Sequence, residues 1–357
     1  MAYTNINDPS AYFQALTYTG NGTTTNNVTN TGNSNLQPDL VWIKDRSVAR
    51  DHIIADTSRD GEVASGTNIV LASNVTEAES TSTGFGINYA TNGINFDAAW
   101  NKVNGSGETY VAWQWKANGG TTTAFSESGN NPGGTRQTSS ESGFSIISYT
   151  GTGSAGTIAH GLPSTPELII FKRRNAVSDW DVYHKSIGNG KRMELANEAQ
   201  ASTDTTFMNN TLPTSTNITV GTSANTNADG ATYICYAFSP VQGYSKMGTY
   251  IGNTSTNGVF IYCGFRPAWV LIKCYTGAND SWIIIDTKRN VANSMNARLF
   301  PDLTNAESTS QDIIDCLSNG FKLRTADTAY NGSRDYLYVA FAENPFVTST
   351  GIPTTAR

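Results

Sequence analysis

A run of apolar residues that follows a proline and ends in a lysine occurs three times along the chain. The copies read "PDLVWIK" (38–44), "PELIIFK" (166–172) and "PAWVLIK" (267–273). Because nearly every position between the proline and the lysine is apolar, the run predicts a central strand that is buried on both faces. The proline suits the first position of such a strand, where its missing N–H removes no hydrogen bond from the sheet.

An alternating strand closes each copy of the pattern. It reads "TYVAWQW" (109–115), "TYICYAF" (232–238) and "DYLYVAF" (335–341), and alternation with a period of two is typical of a β-strand. Each copy is also preceded by a strand that ends in an aromatic residue and a glycine, and each contains a second apolar run. Landmarks that recur three times in the same order predict a triplicated structural unit.

The segments between these runs are rich in glycine, asparagine, aspartate and proline, which favour tight turns between short strands. Helical periodicity is weak, so we predict an all-β fold of three antiparallel β-sandwiches in series. The linker has few apolar residues to bury and is expected to be flexible. The predicted boundaries are 1–117 for unit 1, 118–142 for a Gly/Ser/Thr-rich linker, 143–242 for unit 2, 243–347 for unit 3 and 348–357 for a C-terminal tail.

Composition narrows the classes of function. Only 15% of the 357 residues are charged, compared with about 25% in typical soluble domains. The net charge of −6 argues against electrostatic binding of nucleic acid, which needs clustered lysine and arginine. No apolar stretch reaches the roughly 18 residues of a membrane-spanning helix. The N-terminal residues lack the features of a secretory signal, so we expect synthesis in a cytoplasm.

The cysteine and histidine residues do not show the spacing that is typical of metal ligands. The chain has four cysteines in or near strand-like runs, none in a C-x-x-C pair: Cys235, Cys263, Cys274 and Cys316. We expect buried free thiols, with a disulfide between Cys263 and Cys274 as the alternative. The three histidines lack metal-ligand spacing, so no cofactor is expected. Ca²⁺ held by loop carboxylates near 227–229 or 278–280 remains an alternative.

Acidic residues offer no shared catalytic pair. A glycosidase needs two carboxyl groups about 5–10 Å apart, one of them kept protonated. Glu77 and Glu79 in unit 1, and Asp312 and Asp315 in unit 3, are the candidates, and unit 2 does not repeat either pair. No G-x-S-x-G elbow is present either. We therefore predict no catalytic residues and a protein that is not an enzyme.

Four residues are candidates for contact with a glycan or a partner. Trp100, Trp180 and Trp282 stand near turns, where an indole ring can stack on the apolar face of a sugar. Trp180 and Trp282 also have apolar neighbours, so core positions are favoured for these two. His160, within "AHGLP", is a candidate contact residue, with a turn residue that bonds to the backbone as the alternative.

Longer phrases of units 1 and 2 resemble a known module. "PDLVWIKDRS", "DHIIADTSRDG" and "GETYVAWQWKA" in unit 1, and "TIAHGLPSTPELIIFKRR" in unit 2, resemble a lectin-like module of virion proteins of tailed phages, especially marine ones. Unit 3 keeps only the skeleton, since "CGFRPAWVLIKCY" lacks the His-Gly-Leu. The resemblance implies jelly-roll-like (concanavalin-like) sandwiches in tail-fibre, tail-tip or other surface proteins, and it carries no catalytic set.

The resemblance and the repeat together define the functional hypotheses. The first is a structural protein on the surface of a tailed-phage virion, made in the bacterial cytoplasm, that serves assembly and host attachment as a tail fibre or receptor-binding protein. Its expected partners are other copies of itself in a trimer or hexamer, other virion proteins and a host surface glycan, with no nucleic acid and no membrane insertion. The alternatives are a capsid-decorating or head-fibre protein that binds no glycan, and a glycan-degrading depolymerase on the same fold.

Overall fold

A computed structural model describes residues 3–355 and consists mainly of antiparallel sheets. Strands make up 41% and helices 6%, and none of the sheets in the described residues closes into a barrel. The all-β, antiparallel fold class predicted from the alternating strands is therefore confirmed. Across this part of the chain, the helices are all too short to cross a bilayer.

Unit 1 has one large and one small sheet. Its strands are β1 (Phe13–Thr19), β2 (Asn26–Thr29), β3 (Leu40–Asp45), β4 (Ile53–Asp56), β5 (Asn68–Ala72), β6 (Ser80–Ser82), β7 (Ile87–Ala90), β8 (Gly93–Phe96) and β9 (Thr109–Trp115). The large sheet has the order β1-β9-β3-β4-β5-β6, and the small sheet has the order β2-β8-β7.

Unit 2 adds two strands at one edge of the same arrangement. Its strands are β10 (Thr123–Phe125), β11 (Gly133–Ser139), β12 (Phe144–Thr150), β13 (Gly156–Ala159), β14 (Leu168–Arg173), β15 (Trp180–His184), β16 (Lys191–Glu194), β17 (Ser202–Thr203), β18 (Asn217–Val220) and β19 (Thr232–Phe238). The large sheet runs β10-β11-β12-β19-β14-β15-β16-β17, and β13 pairs with β18.

The large sheet of unit 3 has the fewest strands of the three. Its strands are β20 (Ser245–Ile251), β21 (Phe260–Tyr262), β22 (Phe265–Cys274), β23 (Ile283–Asp286), β24 (Ile314–Leu317), β25 (Gly320–Leu323) and β26 (Asp335–Pro345). They form the sheets β20-β26-β22-β23 and β21-β25-β24. The helices of the described chain are single turns: α1 (Thr57–Asp60), α2 (Asn101–Asn104), α3 (Ala224–Asn227) and α4 (Thr328–Asn331), with 3₁₀ turns at Pro9–Ala11 and Lys185–Ile187.

The same four-strand order recurs in all three large sheets. It is β1-β9-β3-β4 in unit 1, β12-β19-β14-β15 in unit 2 and β20-β26-β22-β23 in unit 3. The register is also the same, because equivalent residues of the proline-led strand and the closing strand face each other: Leu40 and Trp115, Leu168 and Phe238, and Trp269 and Phe341. Each large sheet is therefore built from the landmarks that repeat in the sequence.

The proline-led strands are apolar on both faces because two different cores cover them. In β3, Val41 and Ile43 pack in a core that belongs to unit 1 alone. Leu40 and Trp42, on the opposite face, pack in a core that contains residues of all three units, including Ile170 of unit 2. The large sheets thus enclose one shared apolar core, whereas the sequence predicted three sandwiches in series.

Three buried lysines hold neighbouring units together in a cycle. Each is the lysine that ends a proline-led run, each is fully buried, and each donates a hydrogen bond from Nζ to a backbone carbonyl of another unit. The bonds are Lys44 to Thr304 (3.1 Å), Lys172 to Thr76 (2.9 Å) and Lys273 to Glu198 (2.7 Å). Unit 1 therefore binds unit 3, unit 2 binds unit 1 and unit 3 binds unit 2.

The segment predicted to be a flexible linker (118–142) contains strands β10 and β11. Strand β11 pairs with β12 along its full length, and β10 pairs with β11. Gln137 is buried there and donates to the hydroxyl groups of Thr57 and Ser58 of unit 1. Polar strands of this kind bury little apolar surface, and their order comes from backbone pairing and hydrogen bonds that the composition does not reveal.

The two ends of the described chain contact each other instead of extending as free tails. Ile6 is buried in the shared core, and the side chain of Asn7 bonds with Ser349 through both its amide nitrogen and its oxygen. The C-terminal residues 348–355 fold back through a bridge between Val347 and Pro353. These contacts lie beside the boundary between units 1 and 3.

Candidate functional site

Trp180 and Trp282 lie inside the protein, at the boundaries between units. Neither ring is exposed, and each indole N–H donates to a carbonyl of the neighbouring unit, Trp180 to Ala72 and Trp282 to Glu194, both at 2.9 Å. The core position favoured by the apolar neighbours therefore agrees with the structure, and the candidate glycan contact is corrected for both residues, because no sugar reaches these rings while the units are packed. They are core residues that join adjacent units.

His160 is a buried turn residue. Its Nδ1 accepts a hydrogen bond from the backbone N–H of Leu162 at 3.0 Å, so the proton lies on Nε2, which faces the carbonyl of Thr214 at 3.2 Å. Burial lowers the pKa of His160, and the Thr214 carbonyl only partly opposes this shift. The structure therefore agrees with the turn residue that bonds to the backbone and corrects the candidate contact role, because both ring nitrogens are used within unit 2.

Of the four candidate contact residues, Trp100 is the one that lines an open groove. The groove lies on the surface of unit 1 and has a volume of about 420 Å³. The Trp100 ring packs against Phe85 with the ring centroids 4.4 Å apart, and Nζ of Lys102 lies 5.9 Å from the indole centroid. The other lining residues combine an apolar floor with polar groups: Asp51, Ile53, Val70, Leu71, Ala72, Val75, Glu77, Ala78 and Ser80.

Trp100 lies at a position where the side chain normally stabilises a helix by capping it. It is the N-cap residue of α2 and makes no capping hydrogen bond. At the equivalent positions of units 2 and 3, Ser223 and Asp327 cap α3 and α4 through their side chains. A capping side chain contributes about 1 kcal/mol. Helix α2 of unit 1 therefore lacks this stabilisation, and an indole ring lies at the edge of a groove in its place.

Two of the charged groups at the rim of the groove, Asp51 and Lys102, are paired with each other. Nζ of Lys102 donates to Asp51 Oδ2 at 2.5 Å, and the Asn74 amide donates to Asp51 Oδ1 at 2.8 Å. Burial alone would raise the pKa of Asp51, but the hydrogen bonds from Lys102 and Asn74 outweigh it and hold this pKa below its usual value. Asp51 is thus ionised at neutral pH and fixed in position, as a hydrogen-bond acceptor for a ligand must be.

The carboxylates of the candidate pairs make different contacts. Glu79 bonds to the guanidinium of Arg174 in unit 2 at 2.7 Å, whereas Glu77 lines the groove beside Trp100. In unit 3, Asp315 pairs with Arg324 at 3.2 Å, and Asp312 lines a separate shallow groove. Glu77 therefore lines the same groove as Asp51, whereas Glu79 is bound to unit 2.

Residues of the two loops considered for Ca²⁺ as an alternative make contacts within the protein. Asn227 donates to the carbonyls of Ser154 and Gly221 and accepts from the N–H of Thr152. Asp280 pairs with Arg334 at 3.2 Å. All four cysteines are buried thiols, as expected from the sequence.

Sequence reasoning missed the partners of Trp100 in the groove. Phe85 follows a glycine in "GFGI", and Lys102 lies two residues after Trp100 in "WNKV", so each was near a landmark. Asp51 lies in another part of the chain and reaches the groove only because β4 runs beside β5. The exchange of a capping serine or aspartate for tryptophan is a signal that an alignment of the three units provides.

Comparisons with known proteins give one match. The family model described as a domain of unknown function, DUF7483, matches residues 8–345. No curated protein matches the chain, and no solved structure matches it.

Proposed function

We propose that this chain, which belongs to the DUF7483 family by a model that spans residues 8–345, is a structural protein on the surface of a tailed-phage virion. In this role it takes part in assembly and binds a host glycan through the groove around Trp100. The virion setting rests on the resemblance of units 1 and 2 to a tailed-phage module, in which each unit is a jelly-roll-like sandwich. Self-assembly into a trimer or hexamer belongs to the same proposal.

The observation that carries glycan binding is Trp100 itself. A half-buried indole that caps nothing, packs on Phe85 and borders a groove of about 420 Å³ is placed for stacking on a sugar ring. Tryptophan offers a large rigid surface whose rings favour apolar faces of ligands. Asp51, Glu77 and Lys102 at the rim supply acceptors and a donor for sugar hydroxyl groups.

The repeated scaffold supports a role in display. The features that recur in all three units are internal: buried lysines, paired strands and closely packed turns. The surface positions next to the short helices differ between units, with Trp100 and Lys102 in unit 1 where unit 2 has Ser223 and Asn225. A scaffold that repeats its interior and varies its surface suits a protein that is retained for shape and for contacts.

Glycan binding is tested by placing the residue of unit 2 at position 100. The Trp100→Ser variant loses the stacking surface and gains a capping side chain, so we expect it to lose binding on a bacterial glycan array while its Tm stays near that of the wild type. Trp282→Ser is the matched control, because that ring lies in a unit boundary and its loss lowers the Tm. Unchanged array signals in Trp100→Ser would contradict the proposal.

The depolymerase alternative has a separate readout in the same samples. Size-exclusion profiles of host capsular or lipopolysaccharide after incubation stay unchanged if the groove only binds. Shortened chains that persist in Trp100→Ser and disappear in Glu77→Gln would favour the enzyme.

Placement on the particle is tested with antibodies against the purified protein. Immunogold labelling of intact virions is expected at the tail fibres or tail tip. Labelling of the head alone, together with a blank glycan array, would favour a capsid-decorating protein, and absence from purified virions would overturn the virion setting.

A further inference from the structure

Unit 2 carries a cluster of carboxylates at the place where unit 1 has its groove. Asp179, Asp181 and Glu194 each present an oxygen such that the three oxygens lie within 4.8 Å of one another. Asp181 on β15 and Glu194 on β16 are direct cross-strand partners, and Asp179 precedes β15. The two strands therefore fix the spacing of two of the three carboxylates.

One carboxylate of this cluster has a buried oxygen without a hydrogen bond. Asp181 is fully buried, and its Oδ2 has no hydrogen-bond partner among the described residues. Its other oxygen, Oδ1, accepts from Nη1 of Arg192 at 2.6 Å. An unsatisfied buried carboxylate oxygen is costly, so the fold keeps an acceptor here that its own side chains do not use.

The other two units show that the scaffold does not need a carboxylate at this position. Ile53 and Ile283 occupy the equivalent sites of units 1 and 3, and both are buried. Ala72 stands where unit 2 has Glu194. Replacing a well-packed apolar residue with a buried ion pair is neutral or destabilising in general, so packing does not account for the acidic residues of unit 2.

The negative charge of the cluster exceeds the positive charge available to it. Arg192 is the cation nearest to all of these carboxylates: Nη1 contacts Asp181 and Glu194 at 2.6 and 2.5 Å, and Nε contacts Asp204 at 3.2 Å. Asp179 lies farther from Nη1, at 3.9 Å. One guanidinium thus faces four carboxylates.

We propose that Asp179, Asp181 and Glu194 form a Ca²⁺ site in which the cation takes the place of Nη1 of Arg192. Calcium accepts six to eight oxygen ligands in flexible geometry, whereas Mg²⁺ requires near-ideal octahedral geometry. Two carboxylates fixed on paired strands and a third on a loop suit the less demanding ion. The side chain of Asp179 is 32% exposed, so water completes the coordination on that side while Arg192 stays paired with Asp204.

The test uses the metal-free full-length chain and two ions, Ca²⁺ and Tb³⁺. We expect Ca²⁺ to raise the Tm with a Kd of about 10⁻⁴ to 10⁻³ M, and Tb³⁺ to show luminescence on tryptophan excitation that Ca²⁺ displaces. Trp180 adjoins Asp181 in the sequence and serves as the sensitiser. Mg²⁺ at the same concentration is expected to give a smaller shift.

Variants taken from the other units separate a binding role from a structural one. Asp181→Ile is expected to weaken Ca²⁺ binding by about 10-fold or more, since affinity follows the number of charged ligands, while the Tm without metal equals or exceeds that of the wild type. Glu194→Ala serves as the second variant. Asp315→Asn, which alters a carboxylate of unit 3, is the control that keeps the full Ca²⁺ response.

Three results would overturn the proposal. They are a wild-type chain that gives no Ca²⁺ shift, a shift that is the same in Asp181→Ile and Glu194→Ala as in the wild type, and a metal-free Asp181→Ile chain that is much less stable. The site lies in unit 2, so loss of glycan binding in Trp100→Ser leaves this result unaffected, and the two proposals fail independently.

Discussion

The hydroxyl group of Tyr236 in unit 2 donates a hydrogen bond to Oδ2 of Asp56 in unit 1 at 2.8 Å, and both side chains are buried. Asp56 also pairs with Arg59 at 2.5 Å. The same arrangement joins units 3 and 1, where Trp113 Nε1 donates to Asp286 at 2.9 Å. Two of the three unit boundaries therefore centre on a buried aspartate that bonds across the boundary.

Removal of the Tyr236 hydroxyl tests this bond. Tyr236→Phe removes one of the hydrogen bonds to the buried Oδ2 of Asp56. We therefore expect the free energy of unfolding to fall by about 1–2 kcal/mol. Urea denaturation measures the change. Tyr262→Phe, at an exposed tyrosine, is the control and should stay within about 0.5 kcal/mol of the wild type. Equal stability of the two variants would contradict the role of the Tyr236–Asp56 bond.

The third boundary carries no such charge. His184 of unit 2 takes the position of the aspartate, Ile187 takes that of the arginine, and Val339 of unit 3 takes that of the tyrosine or tryptophan. Burial lowers the pKa of His184 to about 3, and Lys185 adds to the shift, so the imidazole is neutral. At this boundary the aspartate, the arginine and the aromatic donor are all replaced, so none of the three replacements leaves a buried charge without its partner.

His184→Asp is predicted to destabilise the protein strongly. The new carboxylate would be buried without a cation and opposite Val339, which has no donor, and an uncompensated buried charge costs about 3–5 kcal/mol. His184→Asp/Ile187→Arg should regain part of this loss because it restores the ion pair of the other boundaries. Thermal unfolding of both variants measures the effect, and a single variant as stable as the wild type would refute it.

The buried lysines give stability a distinctive pH dependence. Burial lowers the pKa of Lys44 to about 8, despite the opposing effect of Asp45 and Asp51, while an unfolded lysine keeps a pKa near 10.4. Between these values the unfolded chain binds more protons than the folded chain, so the contribution of Lys44 to stability rises with pH from about 8 to 10.4. The expected slope is at most about 1.4 kcal/mol per pH unit.

Comparison with Lys44→Met isolates this effect. Other groups act in the opposite direction at high pH, since burial raises the pKa of Cys263 to about 12 and its unfolded thiol ionises earlier. They are common to both proteins and cancel in the difference. The stability of the wild type relative to Lys44→Met, measured by urea denaturation, should increase between pH 7.5 and 9.5; parallel profiles would contradict the prediction.

The glycine that follows the first aromatic strand permits a close approach of two backbone segments. A Cβ at Gly252 would overlap the carbonyl oxygen of Gly332 in the turn after α4, and Gly20 and Gly151 face the same clash in their units. Gly252→Ala should therefore lower stability by about 1–3 kcal/mol. Gly84→Ala, whose new Cβ would meet only the Ser82 hydroxyl, is the control. Similar Tm values for both variants would show that the turn can shift freely.

The same contacts explain why the repeat was readable in the sequence. Tyr18 stacks on Tyr110 with ring centroids 5.1 Å apart, and the corresponding tyrosines of units 2 and 3 stack in the same way. The hydroxyl of Tyr110 bonds to the carbonyl of Asn101 at 2.7 Å. These are contacts within one unit, so the residues that make them had to recur at matching places in each copy.

The surface site was only partly predictable. The three tryptophans near turns look alike in sequence, yet Trp100 borders a groove while Trp180 and Trp282 fill boundaries between units. What distinguishes them is the element that covers each ring, and for Trp180 and Trp282 that element comes from another unit. The pattern of residues close to each tryptophan in the sequence contains no information about the unit that covers its ring.

The sequence alone determined the antiparallel strands, their succession along each unit and the double burial of the proline-led runs, because period and turn chemistry act over a few residues. Tertiary structure alone decided what covers the second face of those runs. Leu40 and Trp42 could have faced a partner chain or a further sheet, and the sequence fits either outcome. Only the packing of three large sheets around one core, fixed by cross-unit bonds such as that of Lys172 to Thr76, makes the units into a single body.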